Sequence, residues 1–256
     1  MTTVWRYLAE SVPGPHHASD GKPCQDHCQA RVLGRGGEAL MACVADGAGY
    51  SQHSDAGARL ACESILESAA AYFETAGSFA RLSHSEVLAW CEVARGKISQ
   101  YAAAREHDVR EYATTLCAAA ISAAGSAFFQ IGDGAIIVRR RAALGVVFWP
   151  QSGEYVNTTN FLNAADFRGK LQFFATEGSF ADVALLTDGM ERLALRFDCF
   201  TPHPPFFEPL FGAVRSNGDS ERLGAELRQF LVSDSVRNKN DDDKTLVLAS
   251  HIAGKG

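Results

Sequence analysis

The chain has no surplus of basic residues, no long apolar run and no repeated cysteine motif, and each absence removes a class of function. Lys and Arg number 24 against 30 Asp and Glu, a net charge of −6. Non-specific nucleic-acid binding needs a basic face, so no nucleic-acid partner is expected. Small phosphorylated groups stay open, because a bound cation can supply positive charge locally. No apolar stretch approaches the roughly 20 residues that span a bilayer. The opening MTTVWRYLAESVPG lacks a basic segment followed by an apolar core. Neither a membrane partner nor a secretory leader is expected. The seven cysteines are odd in number and scattered, which fits reduced thiols in a cytoplasm. Cys24 and Cys28 are the closest pair, and no second pair accompanies them to make a zinc site. Internal repeats and low-complexity linkers are also missing. The turn SVPGPHH after the first strand-like run has none of the glycine spacing of a dinucleotide-binding fold.

What remains is an ordinary globular composition, 46% hydrophobic and 21% charged over 256 residues, enough to bury a sizeable core. Strand-like runs come first: VWRYLAESV, HCQARVLG and ALMACVA. Their short connections favour antiparallel neighbours. Two helical segments follow. Leu60, Ala61, Ile65, Ala69, Tyr72 and Phe73 share one helical face; Val87, Cys91, Ala94, Ile98 and Tyr101 share another. Ser83 with Glu86 reads as a capping box opening the second helix. TTLCAAAISA and SAFFQIGDGAIIVRRR read as a hairpin about AGS, and LGVVFWP continues the meander. The polar stretch from 151 to 170 has weak periodicity and is expected to be a flexible insertion. LQFFATE and DVALLTDG are expected to pair. A helix around Glu221 to Leu231 precedes the last strand, KTLVLASHI. Strands, helices, strands, helix, strand is the order of an α+β layered domain with mostly antiparallel sheets, and a single domain is expected over residues 1–256.

Aspartates punctuate the strand ends. VADG places Asp46 after a strand, QIGDGA places Asp133 at a bend, ALLTDGM places Asp188 after a strand, and NKNDDDKTLVLA places Asp241, Asp242 and Asp243 before one. PCQDHCQ adds Asp26. Each alone fits a turn, since Asp-Gly is a common turn dipeptide. Several gathered on one sheet edge would repel, and such a constellation holds together when divalent cations neutralise it. Hard oxygen donors select magnesium or manganese. Glycine beside Asp46, Asp133 and Asp188 lets backbone approach closely and offer a carbonyl.

In order and spacing, PCQD, VADGAG, ATTL, IGDG, LLTDG and DDKT resemble the metal-dependent protein serine/threonine phosphatases of the 2C type, nearest a compact bacterial branch, from about Gly21 to Leu248. The resemblance implies a central β-sandwich of two antiparallel sheets flanked by helices on both sides, an α-β-β-α stack with a metal cleft at one end. It implies two Mn²⁺ or Mg²⁺ ions, with Asp46 bridging them, the Gly47 carbonyl on one, and Asp188 with Asp242 on the other. Asp133 matches a carboxylate for a third, weaker ion. Asp26 would orient the attacking water. Thr114 and Thr115 match a pair read as structural support. The substrate would be a phosphoserine or phosphothreonine protein, the product of a serine/threonine kinase. A monomer is expected.

The chain departs from the family in two places. Many members carry an arginine five residues before the carboxylate matched by Asp26, and this chain has Gly21; His17 and Lys22 are the nearby candidates for holding phosphate. Some members follow the bridging Asp-Gly with histidine, and this chain has Ala48, so the leaving oxygen is expected to take its proton from water or from His17 or His53, with His17 the first candidate. The missing arginine keeps two alternatives open: an inactive relative that binds phosphoproteins as a scaffold, and a hydrolase of small phosphoesters on the same fold. Substrate choice is expected to lie in the 151–170 stretch and the FTPHPPFFEPLF loop.

Overall fold

Period-two alternation in the strands builds three hydrophobic layers, and these stack the elements. In the strand Ala39–Ala45 (β3), Met41, Cys43 and Ala45 face the helices above, while Leu40, Ala42 and Val44 face the opposite sheet. Asp182–Leu186 (β9) and Lys244–Ala253 (β12) repeat the pattern. Ala184, Leu186, Leu246 and Leu248 pack on the lower helices; Val183, Leu185, Val247 and Ala249 pack between the sheets. The computed structural model describes residues 3–15, 17, 21–151, 159–216 and 219–253, with the side chains of residues 3 and 253 excluded.

Two five-stranded antiparallel sheets result. One runs Thr3–Val12 (β1), β12, β9, Ala135–Arg140 (β6), Ala143–Val146 (β7). The other runs His27–Leu33 (β2), β3, Leu116–Ile121 (β4), Gly125–Ile131 (β5), Gln172–Glu177 (β8). The helices Ser54–Ala76 (α1) and His84–Ala103 (α2) cover the second sheet. The α1 residues Ala61, Ile65, Ala69 and Phe73 are buried there, and Gly77 ends that helix in the left-handed region at φ 68°. Ser83 and Glu86 close the capping box at the start of α2. A short helix, Phe167–Lys170 (α3), precedes β8, and Glu191–Ala194 (α4) follows β9. The helices Pro204–Arg215 (α5) and Ser220–Leu231 (α6) cover the first sheet. The stack is therefore α-β-β-α, as expected.

Three sequence expectations change. β1 does not neighbour β2; it pairs along its whole length with β12. β8 and β9 do not pair: β8 lies on the edge beside β5, and β9 lies between β12 and β6. Alternation shows that a strand has two faces but not which sheet it joins, and the Gly178–Ala181 connection crosses between sheets. FTPHPPFFEPLF is largely helix α5, opened by proline at its first turn, with Phe207 and Phe211 fully buried. Of the 151–170 stretch, residues 152–158 lie outside the described residues. Within the rest, Leu162 and Phe167 are buried, and Arg95 Nη1 donates to the carbonyls of Leu162 and Ala164.

Candidate metal centre

Strand register brings the aspartates together. His27 pairs with Ala45, Val44 with Cys117, and Leu116 with Ile131, so the start of β2, the end of β3, the start of β4 and the end of β5 share one edge. In the other sheet Leu186 pairs with Leu246 and with Ala135, which puts the end of β9 and the starts of β12 and β6 at one edge too. The Gly132–Gly134 bend joins β5 to β6 across the sandwich, so the two edges are the same end of the molecule. Asp26, Asp46, Asp133, Asp188 and Asp242 sit on these termini. Val12 pairs with Lys244, so the described residues after β1, His17 and Lys22 among them, also lie at this end.

A cavity of about 530 Å³ opens here, lined by Asp46, Asp133, Asp188 and Asp242 with Thr115, Thr159, Ala48, Gly49, Tyr50 and Phe161. A second, of about 760 Å³, shares Gly49 and Asp242 with it and takes in Pro15, His17, Lys22, Asn240 and Asp241. Four of the expected ligands thus share one cavity, and both phosphate candidates line the next. His53 lines neither: its ring stacks on His107 at 4.2 Å between centroids. The structure gives it no part at this site.

Local hydrogen bonds hold the Asp46 backbone and the carboxylates of Asp133 and Asp26. The Asp46 N–H donates to Thr115 Oγ1 at 2.9 Å, the Asp46 carbonyl accepts from Thr115 N at 2.8 Å, and Thr114 Oγ1 donates to that carbonyl at 3.1 Å. The threonine pair supports the strand end, as expected. Gly47 N donates to the Gln25 carbonyl; a Cβ at Gly47 would meet that oxygen at 2.5 Å, so the close approach requires glycine. Gln130 Nε2 donates to the carbonyls of Gly132 and Gly134, fixing the bend that carries Asp133, and Thr159 Oγ1 donates to Asp133 Oδ2 at 2.6 Å. Asp26 is buried, and its Oδ2 accepts from Thr187 and Thr245, both at 2.8 Å.

Asp243 stands in the acidic run of the sequence with no role of its own assigned, yet it contacts His17 of the second cavity. It is buried; Oδ1 accepts from Gly14 N at 2.7 Å, and Oδ2 accepts from Gln25 N at 2.6 Å. His17 Nδ1 lies 2.8 Å from Oδ1, and since an ionised carboxylate only accepts, that nitrogen carries the proton. Gln25 continues the chain of contacts through Nε2 to the Ser51 carbonyl at 2.8 Å. Triple aspartate before a strand was the only signal, and it did not say which of the three turns inward. Gln25, Thr187, Thr245 and Glu191 were missed for the same reason: a single polar residue near a strand end carries no distinguishing pattern.

The electrostatics are those of crowded acids. Burial raises the Asp46 carboxyl well above the usual carboxylate range, with Asp26, Asp188, Asp133 and Asp242 adding to the rise. Burial, then Asp242 and Asp133, push Asp188 to about 6. Burial, then Asp188 and Asp133, push Glu191 to about 8. Among the described residues Oδ1 of Asp133, Oδ1 of Asp188 and Oε1 of Glu191 are buried without a hydrogen-bond partner. Each such atom costs about 1–3 kcal/mol unless something pairs with it. Among the described residues no group of three or more His, Cys, Asp or Glu side chains is placed to hold a metal ion. Magnesium-type ions do not require one, since they keep several waters and take only one or two carboxylates each. Orphaned oxygens around a polar cavity therefore fit hard divalent cations.

Comparison with known proteins agrees with this geometry. The family model described as Protein phosphatase 2C matches residues 13–232. Serine/threonine-protein phosphatase 3 of Escherichia coli (strain K12) is 37% identical over 251 residues, which is 96% of this chain and 98% of that one. Serine/threonine phosphatase Stp1 from Staphylococcus aureus superposes with a TM-score of 0.63 at 13% identity, over 98% of this chain and 95% of that one. The catalytic domain of the serine/threonine protein phosphatase PstP, solved with 2 manganese ions, gives 0.60 at 15% identity, over 98% of this chain and all of that one. At these identities the two structures speak for the fold. Among the described residues no helix is long and apolar enough to cross a membrane.

Proposed function

The chain belongs to the protein phosphatase 2C family and is a metal-dependent protein serine/threonine phosphatase, and from that premise we propose how its own residues divide the work. Asp46, Asp188 and Asp242, with the Gly47 carbonyl, would hold two Mn²⁺ or Mg²⁺ ions, Asp46 reaching both, and Asp133 would hold a third. Ions so held supply Lewis acidity and lower the pKa of water. The observation that carries this reading is the single cavity lined by four strand-end carboxylates, two of them with orphaned buried oxygens.

Asp26, gripped by Thr187 and Thr245, accepts a hydrogen bond from the attacking water and fixes its direction. Lys22 and His17 line the adjoining cavity and receive the phosphate oxygens in place of the arginine that Gly21 lacks. With Nδ1 of His17 committed to Asp243, Nε2 is the atom that hands a proton to the departing serine or threonine oxygen. No cysteine serves as nucleophile: Cys43, Cys62, Cys91 and Cys117 are buried, burial raises the thiols of Cys24 and Cys28 out of the range where thiolate forms, and the exposed Cys199 lines neither cavity.

The substrates follow from the same chemistry: phosphoproteins made by a serine/threonine kinase, with no nucleic-acid or membrane partner for a chain of net charge −6. We take residues 1–256 as one domain acting as a monomer in the cytoplasm, supported by the core shared between the sheets and by seven unpaired cysteines. The test is release of phosphate from a phosphoserine peptide with Mn²⁺, after chelation, and in Asp46→Asn. Loss of turnover on chelation, and a larger loss in Asp46→Asn than in any other single carboxylate variant, are expected. Full turnover in a protein shown by metal analysis to be stripped would overturn the reading.

A further inference from the structure

The cavity that carries the carboxylates has a second wall of different character. Ala48, Tyr50 and Phe161 are its apolar members. Tyr50 is 79% exposed, more than any other exposed large hydrophobic residue of the described chain. Its ring meets Phe161 edge-on, with centroids 6.2 Å apart and an interplanar angle of 83°. Among the described residues its hydroxyl makes no hydrogen bond, so the ring owes its place to the backbone beneath it.

That backbone is pinned on both sides. Ser51 N donates to the Ala48 carbonyl at 2.9 Å, Ser51 Oγ donates to the Arg110 carbonyl, and the Ser51 carbonyl accepts from Gln25 Nε2. Phe161 stands on an equally fixed base: Leu162 is fully buried, its N–H donates to the Thr114 carbonyl at 2.7 Å, and its own carbonyl accepts from Arg95. Two separate stretches of chain thus present an aromatic pair on fixed backbone at the mouth of a polar cavity. An aromatic side chain has only two χ angles and loses little entropy when it is covered, which is why such residues anchor recognition surfaces. The pair cannot serve the phosphate itself, which calls for charge and hydrogen bonds. The two cavities meet at Gly49 and Asp242, and Tyr50 follows Gly49 directly; since consecutive Cα atoms are about 3.8 Å apart, phosphate held where the cavities meet leaves the neighbouring side chain of the substrate within reach of this wall.

We propose that Tyr50 and Phe161 form a specificity-determining rim that receives an apolar or aromatic side chain next to the phosphorylated residue. The proposal rests on the phosphatase reading. Its test uses the full chain with Mn²⁺ and phosphoserine peptides carrying Gly, Leu or Phe immediately before or immediately after the phosphoserine. One of the two positions should show kcat/KM about 5- to 10-fold higher for Leu or Phe than for Gly, the scale of one aromatic contact, with the gain mainly in KM. Tyr50→Ala should collapse that ratio towards one, and Tyr50→Phe should keep it. Because Tyr50 is exposed, the alanine variant should fold normally, which circular dichroism checks. Equal rates for all flanks, or an unchanged ratio in Tyr50→Ala, would overturn the rim while leaving the phosphatase reading intact. Failure to turn over any phosphoserine peptide would overturn both.

Discussion

Stripping the cation from the carboxylate cavity should turn its crowding into a measurable loss of folding stability. Asp188 titrates at about 6 instead of its ordinary 3.8, and Glu191 at about 8 instead of 4.5, with burial the largest cause of both rises. Asp26, Asp46 and Asp133 are raised as well. A carboxyl whose folded pKa exceeds its unfolded value binds protons more tightly in the fold. Its favourable contribution is complete below the unfolded value and is lost as pH rises through the folded value. For Asp188 the window runs from about 4 to about 6 and, at about 1.4 kcal/mol per pH unit, amounts to about 3 kcal/mol. Glu191 carries the same slope on towards pH 8. These acids repel one another, so their contributions do not add, and about 3 kcal/mol sets the scale. In a chain of this length 1 kcal/mol moves Tm by about 2–4 °C. The Tm of the chelated protein should therefore fall by about 6–12 °C between about pH 4 and about pH 8.

Scanning calorimetry in EDTA across that range, repeated in saturating Mn²⁺, makes the measurement. A cation favours the ionised carboxylates and should abolish the slope; titrations elsewhere in the protein are common to both series and cancel in the difference. Asp188→Asn removes a charge that the metal-free fold pays to hold, so it should raise Tm in EDTA at about pH 8 while weakening the stabilisation by Mn²⁺. Superimposable slopes with and without Mn²⁺, or an Asp188→Asn protein less stable than wild type in EDTA, would refute the reasoning.

Three further changes probe different links. Gly189→Ala should prevent correct assembly of the Asp188 turn, because its Cβ would meet the Asp243 carbonyl oxygen at 1.8 Å; loss of Mn²⁺ binding by calorimetry and a lowered Tm are the readouts. Asp182→Ala should cost about 3–5 kcal/mol in a denaturant titration, since it strips a fully buried carboxylate from Arg139, Arg215 and Ser250. Asp182 lies at the end of β9 remote from Asp188, so kcat per folded molecule should hold. His17→Ala should lower kcat on an alkyl phosphoester on the order of 10²-fold and flatten the alkaline limb of its pH profile. The loss should be much smaller with p-nitrophenyl phosphate, whose leaving group needs little protonation; equal losses on both would leave His17 a phosphate-binding role alone.

The sequence was most readable where a short-range pattern has one physical meaning. Alternation in ALMACVA and DVALL, helical spacing in the 54–76 stretch and the Ser83–Glu86 box are local, and each appears in the structure where expected. Sheet membership is not local. β8 and β9 read as neighbours, yet four residues between them carry the chain from one sheet to the other. The prolines of FTPHPPFFEPLF suggested a loop, although proline at the first turn followed by Phe207 and Phe211 four residues apart is also a helix start. Aspartates at strand ends were visible, but their convergence depends on register, which only pairing reveals. Tyr50 could not be singled out at all, because exposure of one aromatic in a glycine-flanked loop leaves no mark on the sequence.

The DDDK run shows why one sequence feature hid two roles. Strand periodicity points successive side chains to opposite sides, and β12 begins at Lys244 with this alternation already set. Asp242 is exposed and opens into both cavities; Asp243, its neighbour, is buried and takes two backbone N–H groups of the 13–26 loop with the His17 ring. The two are linked again through the Asp243 N–H, which donates to Asp242 Oδ1 at 2.9 Å. Lys244 stays buried by giving its ammonium to the carbonyls of Asn240 and Asp242, which locks the turn. A buried carboxylate meeting three donors is well satisfied, whereas the carboxylates lining the cavity are not. The contrast separates the framework from the working surface: Asp243 is satisfied within the protein and holds Gly14, His17 and Gln25, and Asp133 and Asp188 keep oxygens that no described residue satisfies.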